Sequence, residues 1–454
     1  MKKPILLWVL LWTFTQSHAQ FFNEEVKKLY QKAAEKNDTL QLYRLQKEQT
    51  AVDIQSTRFS FLPRVAFTGT YTRLNDDIVF PDNLQAVLMG TQGLLIKEKL
   101  GMGFNAALPP GIELQQVDPI QRKNILKGNV NAQWLLFSGF KVSNALKAYQ
   151  HQQRVYDQLA ARQQTKLWMD VSEVYDKMAL LQNSEAIIQS SEKILQEQTR
   201  FVNAAIRNGL ATPLDRKRIE LAQQKLEIKK LENKTNMQLL RYRLHQLTDV
   251  SDEELQLLHP ELVAVALASE APVNTRPEIK ALDAGIAATG YMEKAAMSDY
   301  VPKLAAFGQY ELRDKDLSLL DPRWFAGVRL QWNVFDGLAA RNNARKAVLQ
   351  RQQLEVQKKS AEDMIRLGQD KLKEDYNMAT QKLVLKNAEI KLAEDTYEFV
   401  DKQYRNGLAA LTDVLDALND VEKAKFEYQQ AVYDQRQAGL KAAELNGLLL
   451  NNPQ

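Results

Sequence analysis

No cysteine occurs among the 454 residues of this chain. That absence excludes a disulfide framework, a Cys-ligated metal site, a thiol nucleophile and a lipidated N-terminal cysteine. Histidine is nearly as scarce. His18, His151, His245 and His259 are the four present, and no two stand at metal-ligand spacing, so neither a metal nor a cofactor is expected. An excess of charge of one sign is missing too. Lys plus Arg number 60 and Asp plus Glu 56, a net +4. Nucleic-acid binders carry a clear basic excess or stripe, so no nucleic-acid partner is expected. No nucleophile elbow, metal pair or paired-carboxylate site is legible, which argues against an enzyme. Proline is absent between Pro119 and Pro213 and again between Pro322 and Pro453, and glycine is sparse there. Such stretches, rich in Ala, Leu, Gln, Lys and Glu, read as long helices.

The first residues carry an address. Lys2 and Lys3 precede an apolar run from Ile5 to Phe14, and a polar stretch ends in Ser17-His18-Ala19. A charged start, a short apolar core and a small-x-small site predict a signal peptide over 1–19. No later run reaches the roughly 18 apolar residues of a spanning helix. The chain is therefore expected to be exported, and to meet a membrane, if at all, as strands.

The rest of the sequence is written twice. Phe61-Leu62-Pro63-Arg64-Val65 matches Tyr300-Val301-Pro302-Lys303-Leu304. Trp134-Leu135-Leu136-Phe137-Ser138-Gly139 matches Trp332-Asn333-Val334-Phe335-Asp336-Gly337. Arg207-Asn208-Gly209-Leu210-Ala211 recurs identically as Arg405-Asn406-Gly407-Leu408-Ala409. The last two pairs share one offset and the first has a longer one, so copy one carries an insertion between Tyr71 and Trp134, within 74–127. The repeats are assigned to 20–262 and 263–454.

Each copy reads in the same order. Asn37-Asp38-Thr39 and Thr275-Arg276-Pro277-Glu278 open helices. After the Pro motif the period becomes two. Val65, Phe67, Gly69 and Tyr71 alternate with Ala66, Thr68, Thr70 and Thr72. Val130, Ala132, Trp134 and Leu136 alternate with Asn129, Asn131 and Gln133. In copy two Val328, Leu330, Trp332 and Val334 alternate with Arg329, Gln331 and Asn333. Strict alternation marks strands with one apolar and one wet face. A long helix from Lys141 to Ala205 follows. Leu167, Val174, Leu181, Ile188, Leu195 and Val202 stand seven apart, a coiled-coil seam. The matching seam Ile365, Leu372, Ala379, Lys386, Ala393 and Val400 is weaker, with a face expected to be partly open. Asn-Gly ends each long helix, and Thr212-Pro213 and Leu411-Thr412 start return helices on which Leu214, Leu221 and Ile228 keep heptad spacing.

Two copies supply four strands, too few to close a barrel, since the smallest membrane barrels have about eight. Strand edges in lipid must be paired, because each unsatisfied backbone group costs several kcal/mol there. A membrane location therefore demands oligomerisation. Trp134, Phe137, Trp332 and Phe335, read as barrel-strand residues near strand ends, suit an interfacial aromatic girdle. Packing into an ordinary core is the other reading of each.

With its duplicated strand–strand–long-helix unit, x-x-Pro-Arg/Lys strand starts, Trp-x-x-Phe-x-Gly strand exits and paired Asn-Gly-Leu-Ala turns, the chain resembles the TolC family of outer-membrane efflux ducts. The resemblance implies a mainly α fold with a β-barrel portion: a homotrimer whose twelve strands form a barrel in the lipid of the Gram-negative outer membrane, continued by a helical coiled-coil barrel in the periplasm. It implies passive export of small molecules or proteins. The turns Asn208, Gly209, Leu210 and Asn406, Gly407, Leu408 would form a tip that docks a periplasmic adaptor (membrane fusion) protein, linked to an inner-membrane RND or ABC type transporter. It also implies a gate with rings of Asp413 and Asp416, joined by Tyr404 and Asp215; the family's linking Arg falls at Ala409, so that link is absent. Asp413 and Asp416 can also be read as acids stabilising a helix N-terminus. A secreted coiled-coil scaffold or adhesin without a membrane barrel is the alternative function.

Overall fold

The computed structural model describes residues 22–268, 271–312 and 323–449; the expected signal peptide lies outside them. The elements run α1 (Glu24–Lys36), α2 (Asp38–Phe59), β1 (Arg64–Arg73), α3 (Asp82–Lys99), β2 (Asn124–Phe137), α4 (Lys141–Arg207), α5 (Pro213–Thr248), α6 (Asp252–Gln256), α7 (Pro277–Met297), β3 (Lys303–Leu312), β4 (Trp324–Gln331), α8 (Ala339–Arg405) and α9 (Leu411–Leu445). The expected order is met twice, as α2-β1-β2-α4-α5 and α7-β3-β4-α8-α9. Both long helices have 67 residues, as the constant offset between the copies requires. Short α1 and α6 lie at the ends of repeat one, and α3 lies inside its insertion. None of the three was separated by periodicity alone.

Local chemistry sets the boundaries. Asn37 Oδ1 accepts the Leu40 N–H at 3.0 Å and starts α2. Ser138 Oγ accepts from Val142 N at 3.3 Å at the head of α4, and its repeat partner Asp336 accepts from Ala340 N at 2.7 Å at the head of α8. α7 begins at Pro277, where the missing N–H costs nothing.

Two compact units result, and each draws on both repeats. One comprises the chain up to Thr50, His151–Ala287 and the chain from Arg351; the other comprises Ala51–Gln150 and Ala288–Gln350. In the first, Val26 and Leu29 of α1 share a buried cluster with Leu167, Val171, Val174 and Met178 of α4, Leu244 of α5 and Leu440 of α9. The seam of α4 is buried at Leu167, Val174, Ile188, Leu195 and Val202 and half-buried at Leu181. On α8 the seam is buried only at Ile365 and Ala379. Lys386 sits half-buried in that row because its ammonium meets Glu427 of α9 and Glu389.

Polar groups join the two repeats inside this unit. Asp176 of α4 is fully buried and accepts from Arg436 Nε at 2.8 Å and Gln437 Nε2 at 2.9 Å, both on α9. Arg436 also donates to the Val263 carbonyl at 3.0 Å. The neighbouring Gln435 is bonded both ways to the Val265 backbone, which ties the inter-repeat connection along α9. Burial pushes the Asp176 carboxyl up to about 6, with Arg436 and Gln437 pulling the other way. The folded chain thus holds this proton more tightly than the unfolded chain. Stability from this group falls as pH climbs from about 4 through about 6.

Removing one partner of a buried pair strands the other's charge. Arg436→Met is expected to destabilise the protein by about 3–5 kcal/mol at pH 7.5 in denaturant unfolding. The cost should shrink at pH 5, where the unpaired Asp176 takes up a proton; an equal cost at both pH values would show that the carboxylate is not its source.

Candidate functional site: the sheet faces and the helical turns

The second unit contains one antiparallel meander in the order β1-β2-β3-β4. Registers such as Phe67↔Val130, Val130↔Tyr310 and Tyr310↔Trp324 fix which side chains share a face. One face carries Val65, Phe67 and Tyr71 of β1, Leu126, Val130 and Trp134 of β2, Leu304 and Tyr310 of β3, and Trp324, Val328 and Leu330 of β4. It is apolar along every strand, with small residues between the large ones. Most of these large side chains are solvent-exposed; Val65, Leu126 and Leu330 are each more than 60% so. The opposite face carries Thr68, Thr70, Asn129, Asn131, Gln133 and Gln309, among others. β1 and β4 pair on one side only and leave two open edges. A contiguous exposed apolar face of this extent marks a membrane or partner surface.

The sequence expectation needs one correction here. Trp134 and Phe137 lie in β2, but β4 ends at Gln331, so Trp332 and Phe335 stand outside the strand. β3 begins at Lys303, opposite Gln331, and offers no ladder partner further on. The two tryptophans nevertheless do the same work. Trp134 Nε1 donates to the Phe61 carbonyl at 2.7 Å, and Trp332 Nε1 donates to the Tyr300 carbonyl at 3.0 Å. Phe61 and Tyr300 are themselves repeat equivalents. Each indole ties the end of one strand to the turn before its neighbour, which explains why the Pro and Trp motifs are duplicated together.

A second exposed apolar feature lies on the helices. Leu214, Leu221, Ile228 and Tyr242 form a row on α5 at heptad steps, and each is more than half exposed. Met364, Met378, Leu385, Leu392 and Phe399 form another on α8, again more than half exposed. Thr235 and Lys371 occupy the missing steps. Each row has the form of a coiled-coil seam without its partner. The α5 row is foreshadowed by the spacing of Leu214, Leu221 and Ile228. The α8 row lies on a different face from the seam read in the sequence and was missed.

The turns close as their sequence suggests. Gly209 and Gly407 adopt φ of 74° and 77°, and Leu210 N–H and Leu408 N–H reach back to the Ala205 and Gln403 carbonyls at 2.8 and 2.9 Å. Leu210 and Leu408 project outward and are highly exposed. Asn208 and Asn406 each donate a backbone N–H to the last turn of the preceding helix. Beside the turns, Val202, Ile219 and Leu411 form a small core against which Tyr404 packs. The Tyr404 ring meets Phe201 edge-on at 5.6 Å. Burial, with the Asp215 and Asp401 charges, raises its pKa, and among the described residues its buried hydroxyl has no hydrogen-bond partner.

Each expected gate acid has a local occupation. Asp215 closes a capping box with Thr212, accepting its N–H at 2.9 Å and its hydroxyl at 2.7 Å, and stands 3.6 Å from Arg218. Asp413 accepts the Ala410 N–H at 3.0 Å. Asp416 instead lines a groove of about 390 Å³ between α5 and α9, with Arg218, Leu221, Lys225 and Glu422. Asp413 and Asp416 are both exposed. Among the described residues no group of acids or histidines could hold a metal ion, and no helix is long and apolar enough to cross a membrane.

Residues 268–447 match the family model described as outer membrane efflux protein. Over 93–99% of its length, moreover, the chain superposes on solved outer-membrane proteins. The chain has the outer membrane efflux protein fold. VceC from Vibrio cholerae is 12% identical over 93% of this chain and 96% of its own, with a TM-score of 0.72. CmeC from Campylobacter jejuni is 14% identical over 99% and 94%, with a TM-score of 0.71. MtrE from Neisseria gonorrhoeae, solved in an open state, is 15% identical over 93% and 89%, with a TM-score of 0.68. No curated protein matches the chain in sequence. At these identities the likeness is one of fold. This efflux-protein fold contains the features described above: a short meander, paired long helices and two glycine turns.

Trp134→Phe keeps the ring and deletes the N–H. It is expected to cost about 1 kcal/mol in unfolding experiments, and Trp332→Phe a similar amount, since each loses one hydrogen bond. A cost at one site and none at the other would contradict their equivalence.

Proposed function

We propose that this chain is one protomer of an outer-membrane export duct in a Gram-negative cell, with its helices in the periplasm. The observation that carries the reading is the four-stranded sheet with an exposed apolar face and two open edges. In lipid, such edges demand partners. Three copies supply twelve strands, an even number large enough to close. The unpartnered rows on α5 and α8 then pack between neighbouring copies as coiled-coil seams. The homotrimer is a passive conduit, and energy comes from elsewhere. The outward-facing turns at Leu210 and Leu408 are the surface for a periplasmic adaptor coupled to an inner-membrane RND or ABC type transporter. Asp413 and Asp416, with Tyr404 and Asp215 beside them, belong to the periplasmic gate.

A secreted scaffold would have to bury the apolar sheet face in a soluble core. Fractionation separates the two readings. The duct should sediment with outer membranes, require detergent and run as a trimer. Recovery as a soluble monomer would overturn it.

Two variants probe the parts. Leu221→Glu with Leu385→Glu puts charge into both helical rows and should convert most of the detergent-solubilised trimer to monomer in size-exclusion with light scattering. Asp413→Ala with Asp416→Ala should lower the preference for potassium over chloride in planar bilayers, because rings of carboxylates favour cations. Unchanged selectivity would sink the gate assignment.

A further inference from the structure

The wet face of the sheet is not electrically neutral. Apart from one carboxylate, Glu311 of β3, its charged side chains are basic: Arg64 of β1, Lys127 of β2, Lys303 of β3 and Arg329 of β4. The repeat shows which of these charges are free. Arg64 and Lys303 are equivalents, each directly following the strand-start proline. Lys303 is paired with Asp299 at 2.8 Å, a carboxylate it shares with Lys141, also at 2.8 Å. The position equivalent to Asp299 in repeat one is Ser60, whose hydroxyl is spent on the Thr57 carbonyl at 2.6 Å. Arg64 therefore lines an open groove with Ser60, Gln133 and Leu135 and has no carboxylate partner among the described residues. Arg329 is held in place by stacking. Its guanidinium lies 5.1 Å from the Phe307 ring centroid. That ring fits against β4 because residue 327 is glycine; a Cβ there would stand 2.9 Å from Phe307 Cζ. Lys127 likewise has no carboxylate partner among the described residues.

We infer that the polar face of this sheet is an anion-favouring passage, in which Arg64, Lys127 and Arg329 select for solutes bearing carboxylate, sulfonate or phosphate groups. The inference rests on the duct reading, which makes this face the lumen. Three protomers bring nine such cations against three Glu311 carboxylates into a space with low-dielectric walls. Fixed charge in such a space raises the local concentration of counter-ions.

The test is reversal potential in planar bilayers under a potassium chloride gradient. Arg64→Gln, Lys127→Gln and Arg329→Gln together should lower the chloride-to-potassium permeability ratio about twofold or more. The shift is opposite in sign to that of the Asp413/Asp416 variant. Arg64→Lys with Arg329→Lys keeps the charge and should retain the wild-type ratio. If the triple variant does not assemble, Lys127→Gln alone, on an open strand face, should move the ratio in the same direction. An unchanged ratio in a conducting variant overturns this inference alone. Recovery of the wild-type chain as a soluble monomer removes the duct reading and this inference with it.

Discussion

Backbone N–H and C=O groups at a sheet edge need partners, and nothing in hydrocarbon can supply them. The four-stranded meander has two such edges and an apolar face between them. This constraint gives the other features their sense. Beside that sheet, a well-packed helical unit also leaves rows of large apolar side chains exposed on α5 and α8. The indole bonds from Trp134 and Trp332 brace the strand ends where the ladder stops.

Duplication supplies the architecture, and the differences between the copies supply the specifics. The seam of α4 is buried where that of α8 is half-open, and the lysine in the weaker seam is accommodated by Glu427. Asp336 caps one long helix and Ser138 the other. Asp299 pairs with one strand-start cation, and Ser60 offers its equivalent no carboxylate. Thr212 with Pro213 opens one return helix, whereas Ala410 and Leu411 open the other with only the Asp413 carboxylate to cap it. Each divergence changes charge, capping or burial.

The acids near the turns have local occupations. Asp215 and Asp413 hold helix N-termini through backbone N–H groups, which is the bland reading of an acid in a first helical turn. That occupation fixes where the carboxylates point, and Asp215 also meets Arg218. Asp416 is different: it lines the groove between α5 and α9 beside Arg218 and Lys225, and its surroundings are those of an exposed side chain.

Local signals determined a great deal. Alternation located β1 and β2, the constant repeat offset gave two helices of equal length, and the Asn-Gly pairs located both turns, because strand, helix and turn periodicities are written in neighbouring residues. The amino-acid pattern also overran β4, placing Trp332 and Phe335 in a strand. Alternation continues past Gln331, but the ladder ends where β3 begins, and a ladder is a property of two segments. Only the tertiary structure decided which helical faces were left bare, that Asp176 meets Arg436 across the repeats, and that among the described residues Arg64 has no counter-ion while Lys303 has one. Burial and charge pairing depend on which distant residues arrive, and no local period records that.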